Sequence, residues 1–210
     1  VGWSREKIQK TMNRSREPVN FTINDQILNT NVDLELVTTR CANVIGEIKS
    51  GNRKHRSEYV VLGAHFDHVG EGGVGSGSRS PDRLQVHPGA DDNASGTSGL
   101  LEIAQKLAAN KSRLKRSILL IGFDAEEKGL LGSKYFMSNP AVDPDKIITM
   151  INMDMIGRMK DSSATVGGVG TSPLFEPLMD SLGTDCSFNL SISDQGFGPS
   201  DHASFYSEKI

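Results

Sequence analysis

The chain has 210 residues, 36% of them hydrophobic, and a formal net charge of −3. That length suits one domain with a sizeable core, and the charge balance excludes the basic footprint of a nucleic-acid binder or a polybasic membrane anchor. No apolar run approaches the roughly 20 residues that span a bilayer. Cys41 and Cys186 lie far apart, with no Cys or His at zinc-finger spacing. A single disulfide, two free thiols and pairing outside the chain all remain open.

Residues Trp3 to Asn13 are polar and mildly helical, and Pro18 closes the region. Val32 to Val37 alternates apolar and acidic side chains, the period of a strand with one wet face. Ala42 to Ile48 reads as a second strand, followed by a Gly51-Asn52 turn suited to a hairpin. Glu58 to Ala64 is nearly continuously apolar, as in a strand covered on both faces. It delivers His65-Phe66-Asp67-His68 into a Gly/Ser-rich loop from Glu71 to Pro88. A loop of that length in a compact domain tends to be functional or mobile.

The turn Gly89-Ala90-Asp91-Asp92-Asn93-Ala94-Ser95-Gly96 then sets two adjacent carboxylates before a helix whose apolar residues run from Leu100 to Ala108 at helical spacing. The basic run Lys111 to Arg116 is a solvated connection. Ser117 to Phe123 is a buried strand ending in Asp124-Ala125-Glu126-Glu127. A helix over Gly129–Ser138, closed by Asn139-Pro140, precedes a strand over Lys146–Met153 that ends in Asp154. Ser163–Val169 is expected as a strand, Leu174–Leu182 as a helix and Cys186–Leu190 as a short strand, before Ser200-Asp201-His202. Strands alternating with helices predict an α/β three-layer sandwich, with a central mixed, largely parallel sheet and helices on both faces. In such sheets ligands bind at the carboxyl ends of the strands, where most of the polar clusters fall.

Singly, each cluster has an ordinary explanation: a satisfied histidine, a solvated acidic face or a turn cap. Together, His65, Asp92, Glu127, Asp154 and His202 offer two imidazoles and three carboxylates without a thiolate. That set suits zinc or a similar divalent ion, and its count suits two ions better than one. Asp67 follows His65 at a spacing that lets it accept the other ring N–H. Glu126 stands beside a ligand but free, as a general base requires.

The stretches Ala64-His65-Phe66-Asp67-His68, Gly89 to Gly96, Phe123 to Ser133, Asn152-Met153-Asp154-Met155-Ile156-Gly157 and Ser200 to Phe205 resemble, in order, those of metallopeptidase family 28, the di-zinc aminopeptidases of the bacterial leucyl type. The resemblance implies two Zn2+ per chain, with Asp92 bridging, His65 and Asp154 completing one site, and Glu127 with His202 completing the other. It implies Glu126 as the base and Asp67 as the orienter of His65, for hydrolysis of N-terminal amino acids from peptides. Secretion or a periplasmic location also follows from it. So does a division into residues 1–42, the tail of a preceding protease-associated region, and a catalytic domain over 43–210. Family members continue past the equivalent of Ile210, so a fragment or trimmed member is expected. The alternatives on the same fold are a zinc carboxypeptidase, a single-zinc glutaminyl cyclase and a catalytically silent binding domain.

Overall fold

The computed structural model describes residues 3–15, 18, 20, 29, 31–33, 38–183 and 187–210. The chain divides into two compact units, Val1–Thr39 and Arg40–Ile210. In the first, helix α1 (Arg5–Ser15) buries no residue. The Ser4 hydroxyl accepts the Lys7 amide N–H at its start, and the Lys7 ammonium lies 4.8 Å from the Trp3 ring centroid. Most of the strand expected at Val32–Val37, and Cys186, lie outside the described residues, whereas Cys41 is an exposed free thiol.

The second unit is built on a four-stranded sheet in the order β1 (Val44–Ile48), β3 (Ser117–Phe123), β2 (Tyr59–His65), β4 (Ile147–Asn152). β2 pairs in parallel with both β3 and β4, and β1 closes the edge antiparallel to β3. The sheet is therefore mixed and largely parallel. The Gly51-Asn52 signal does not make a hairpin, because β3 stands between β1 and β2. Burial explains the choice. β2 is apolar on both faces and takes a central position, whereas β1 is mostly exposed and suits an edge.

Alternation along the strands feeds two cores on opposite faces. Val61, Leu119, Ile121 and Phe123 pack with Phe136 of α3 (Leu131–Ser138) and Phe205 of α5 (His202–Ser207). Leu62, Ala64 and Ile118 pack with Leu100 of α2 (Gly96–Ala109) and with Met153. Neighbouring residues of one strand thus serve different helical layers, as the period of two requires. β5 (Ser163–Val166) and β6 (Asn189–Ile192) form a separate parallel pair. β5 is shorter than the expected Ser163–Val169, whose end becomes a 3₁₀ turn over Val169–Thr171. Helix α4 (Phe175–Gly183) lies between β5 and β6 in sequence.

The basic run opens with an exposed 3₁₀ turn over Lys111–Arg113, and Arg116 Nε donates to Glu58 at 2.6 Å. The long loop after His68 folds back on itself as a strap. Gln85 N–H donates to Glu71 and His87 N–H to Gly70, each at 2.8 Å. The Lys128 ammonium ties the strap to the β3 end by donating to the Gly75 and Ser76 carbonyls at 3.0 and 3.2 Å.

Candidate metal centre

Strand register builds the site. His65 pairs with Phe123 and Gly63 with Asn152, so β2, β3 and β4 end on one edge of the sheet. Beyond them the Phe66 and Met153 amides still donate, to Phe123 and Gly63. His65-Phe66-Asp67-His68, Asp124 to Glu127 and Asp154 therefore leave the sheet side by side. Ala125 and Met155, next to Glu126 and Asp154, have φ of 55° and 54°. Such left-handed positions cluster at functional turns.

The Gly89–Gly96 turn enters from above this edge and separates its two acids. Asp91 turns away, accepting the Gly157 N–H at 2.9 Å. Asp92 points at His65, its Oδ1 3.3 Å from the ring Nε2. The Asp92–Asn93 peptide is cis. Asn93 is buried and joins the two acidic turns. Its amide donates to the Met153 carbonyl at 3.0 Å, and its Oδ1 accepts the Gly96 and Met155 N–H groups at 3.0 and 3.2 Å. Asn93→Ala strands those three backbone groups, so a loss of about 3 kcal/mol or more in urea unfolding is expected, together with weaker zinc uptake. Wild-type stability in that variant would remove Asn93 from the joint.

Among the described residues two groups of donors converge on this edge, His65–Asp92–Asp154 and His68–Asp92–Glu127, sharing Asp92. His65 Nε2 is 3.5 Å from Asp154 Oδ1. Ligands held tetrahedrally at about 2.0–2.1 Å from zinc are about 3.3 Å apart, so the two separations from His65 match those of zinc ligands. In the second group, His68 Nδ1 lies 2.6 Å from Glu127 Oε1 and 3.9 Å from Asp92 Oδ2. The shorter approach has no hydrogen-bond geometry, and His65 Nε2, His68 Nδ1, Glu127 Oε1 and Asp154 Oδ1 are all buried without a hydrogen-bond partner. Buried polar atoms left so are costly unless a cation satisfies them.

The electrostatics agree. Burial works against charging His65, yet Asp154 and Asp67 beside it push its pKa up to about 11. The carboxylates demand a positive centre, which an ion supplies as well as a proton. Burial likewise opposes ionisation of Asp154, but the His65 ring and the Ser200 hydroxyl hold its pKa below the usual value. Burial pushes Glu126 up to about 7, with His65 opposing and Asp201, Asp154 and Glu127 adding to the rise.

Asp67 reaches His65 through its main chain, its carbonyl accepting from Nδ1 at 3.1 Å, while its carboxylate stands 3.6 Å away. That carboxylate instead accepts the Glu126 and Glu127 N–H groups at 3.0 and 3.2 Å. One residue thus fixes both the imidazole and the turn carrying the two glutamates.

His202 joins neither donor group. Burial holds its pKa down against the charge of Asp154. A Cβ placed on Gly198 would stand 2.5 Å from its Nε2, so that end of the ring abuts the Gly198 backbone. Three further residues escaped the sequence reading. His68 directly follows Asp67 in a motif already singled out, a signal that pointed to it. Asn93 looked like a turn former. Asp201 is fully buried, neither of its oxygens has a hydrogen-bond partner, and nothing in sequence distinguishes it from a helix cap.

Burial pushes Asp201 up to about 6, against Ser133 and His65, with Asp67 and Asp154 adding to the rise. Folded protein then keeps this proton up to about pH 6, and unfolded chain only to its ordinary 3.8. The native state binds the extra proton between those values, so stability falls as pH rises through that window, by about 3 kcal/mol. In zinc-free protein Asp201→Asn is therefore expected to match wild type near pH 4 and to exceed it by about that amount at pH 7. Urea unfolding at both pH values decides the point, and parallel pH profiles for the two proteins would refute it.

The model of peptidase family M28 matches residues 43–210. The probable leucine aminopeptidase 2 of Arthroderma benhamiae is 29% identical over 178 residues, covering 80% of this chain and 32% of its own length. The probable lipoprotein aminopeptidase LpqL of Mycobacterium tuberculosis is 30% identical over 159 residues, covering 74% and 28%. In structure, the zinc aminopeptidase BSAP of Bacillus subtilis superposes with a TM-score of 0.59 at 30% identity, covering 79% of this chain and 37% of that one. The chain spans about a third of the length of these relatives. With the family match running from Asn43 to Ile210, across the whole sheet and both donor groups, the chain belongs to peptidase family M28.

Proposed function

We propose that residues 43–210 form the catalytic domain of a zinc-dependent exopeptidase that removes N-terminal amino acids from peptides, with two Zn2+ per chain. The observation that carries the reading is the pair of donor groups sharing Asp92, with buried donor atoms that no hydrogen bond satisfies. Imidazole and carboxylate without thiolate suit zinc. Two groups favour two ions over the single zinc of the cyclase reading. His65 and Asp154 would hold one ion and Glu127 the other, with Asp92 common to both donor groups.

When bound, such ions polarise a carbonyl and lower the pKa of water toward about 7. The remaining chemistry belongs to the side chains. Glu126, whose carboxyl burial pushes up to about 7 in the metal-free site, is the group that would take a proton from the attacking water and return it to the leaving amine. Asp67 holds the Glu126 backbone, and hence the base, in place. Peptide N-termini as substrate are supported by the relatives named aminopeptidases. A location outside the cytoplasm is supported by the relative named a lipoprotein aminopeptidase. No helix among the described residues is long and apolar enough to cross a membrane.

The test is elemental analysis of protein purified without chelator, combined with release of leucine from a leucyl peptide and from its N-acetylated form. Two zincs, cleavage of the free peptide alone, and loss of that cleavage on chelation with recovery on zinc addition are expected. Cleavage that survives chelation, or failure to take up zinc, would overturn the reading.

A further inference from the structure

We propose that Asn43 is a positioning residue for the general base, its side-chain amide stapling together the two ends of the turn that carries Glu126; the inference rests on the reading of Glu126 as that base. The turn runs from Asp124, just past β3, to Gly132 at the start of α3. Asn43 immediately precedes β1, whose Val44 pairs with Gly122, and this antiparallel register brings it beside the end of β3. Its Oδ1 accepts the Asp124 N–H at 3.1 Å, and its Nδ2 donates to the Gly132 carbonyl at 2.8 Å. One carboxamide thus answers a donor at the start of the turn and an acceptor at its end, which takes both halves of the amide.

Gly132 shows how closely the ends are drawn. A Cβ there would collide with the Asp124 carbonyl oxygen and with Asn43 Oδ1. The Asp124 carboxylate reinforces the joint, accepting the Ala42 N–H at 2.9 Å and the Ala125 N–H at 2.8 Å. Inside the closed turn, Ala125 and Leu130 have φ of 55° and 62°. Such conformations are costly for residues with a side chain and persist where the surroundings over-determine them. The Glu126 carbonyl accepts the Gly129 and Leu130 N–H groups, each at 2.9 Å.

The middle of the turn is held separately, by the Asp67 carboxylate on the Glu126 and Glu127 amides. β1 and β2 flank β3, so Asn43 and Asp67 grip the same turn from its two sides. Both Asn43 hydrogen bonds go to the main chain at the ends of the turn, and their effect reaches the chemistry only through the segment between. A displacement of about 1 Å in a reacting group can cost about 10²-fold in rate. Loosening the ends therefore acts on turnover through Glu126.

The experiment compares wild type, Asn43→Ala, Glu126→Gln, the double variant and Ser50→Ala. Ser50 controls for lost stability alone: it is buried beyond the other end of β1, where its hydroxyl donates to the Leu114 carbonyl and accepts the Asn52 N–H. Asn43→Ala is expected to lower kcat on a leucyl peptide by about 10–100-fold, with KM and two bound zincs unchanged. In zinc-free protein its Gly129 and Leu130 amides should exchange faster than in wild type. Ser50→Ala should show neither change. Added to Glu126→Gln, Asn43→Ala should cost little more, because residues that act as a unit are not additive. Wild-type kcat in Asn43→Ala, unchanged amide exchange, loss of zinc, or an equal fall in both backgrounds would overturn the positioning role alone. Full turnover in the Glu126→Gln single variant would overturn the base reading, and this inference with it.

Discussion

Glu126→Gln is expected to cut peptide hydrolysis by about 10²–10⁴-fold, the range for loss of a general base, with zinc content unchanged. The substitution keeps shape and backbone, so the Glu126 N–H still donates to Asp67 and Glu127 keeps its position. What it removes is the ability to accept a proton. Burial pushes that carboxyl up to about 7 in the metal-free site, above the usual carboxylate range. The two measurements belong together. A dead variant with two zincs isolates the base, whereas a dead variant without metal reports only collapse of the site. Full turnover in Glu126→Gln would sink the assignment.

The second large effect is expected from Asp92→Ala, which removes the residue common to both donor groups. Uptake of both ions should fail, and the stabilisation zinc gives should vanish with it. Wild type at zinc a thousandfold above its dissociation constant gains about 4 kcal/mol by mass action. The variant should unfold at the same temperature with and without zinc. Zinc-free Asp92→Ala need not be weakened at all, because one carboxylate fewer means less repulsion with Asp154 and Glu127. Scans with zinc and with chelator separate these contributions. Retention of both ions in Asp92→Ala would refute the shared role.

Much of the fold could be read from sequence because single strands carried their own signals. Tyr59–His65 and Ser117–Phe123 are apolar on both faces, and each ends in a polar cluster. His65, Asp92 and Asp154 were legible as a group for the same reason: each lies at or just past a strand end or helix start. What sequence concealed was pairing and direction. Gly51-Asn52 is a local turn signal, but strand neighbours are settled by burial across the sheet, and β3 displaced β2 as the partner of β1. Asp91 and Asp92 are chemically equivalent in sequence, and only the turn geometry sends one to Gly157 and the other to His65. His202 reads as a ligand from its motif, and where its ring lies, with Nε2 against the Gly198 backbone, is set by folding that spacing alone does not show. Asp201 runs against the expectation that acids avoid the core, and its full burial follows from the packing of α5 against the sheet.

The parallel pairing of β2 with β3 and β4 has a kinetic consequence. Strands that run in the same direction are joined by long crossovers, and here the donors extend from His65 to Asp154 along the chain. Sequence-distant pairings are completed late, after loop entropy has been overcome. The ion-binding edge is therefore expected to be unformed in the folding transition state. Zinc should then slow unfolding in proportion to the stability it adds, while leaving the refolding rate nearly unchanged. Stopped-flow traces in urea with zinc and with chelator would show this as a drop in the unfolding arm alone. The ion would act as a latch on the finished molecule, extending its lifetime without guiding its assembly.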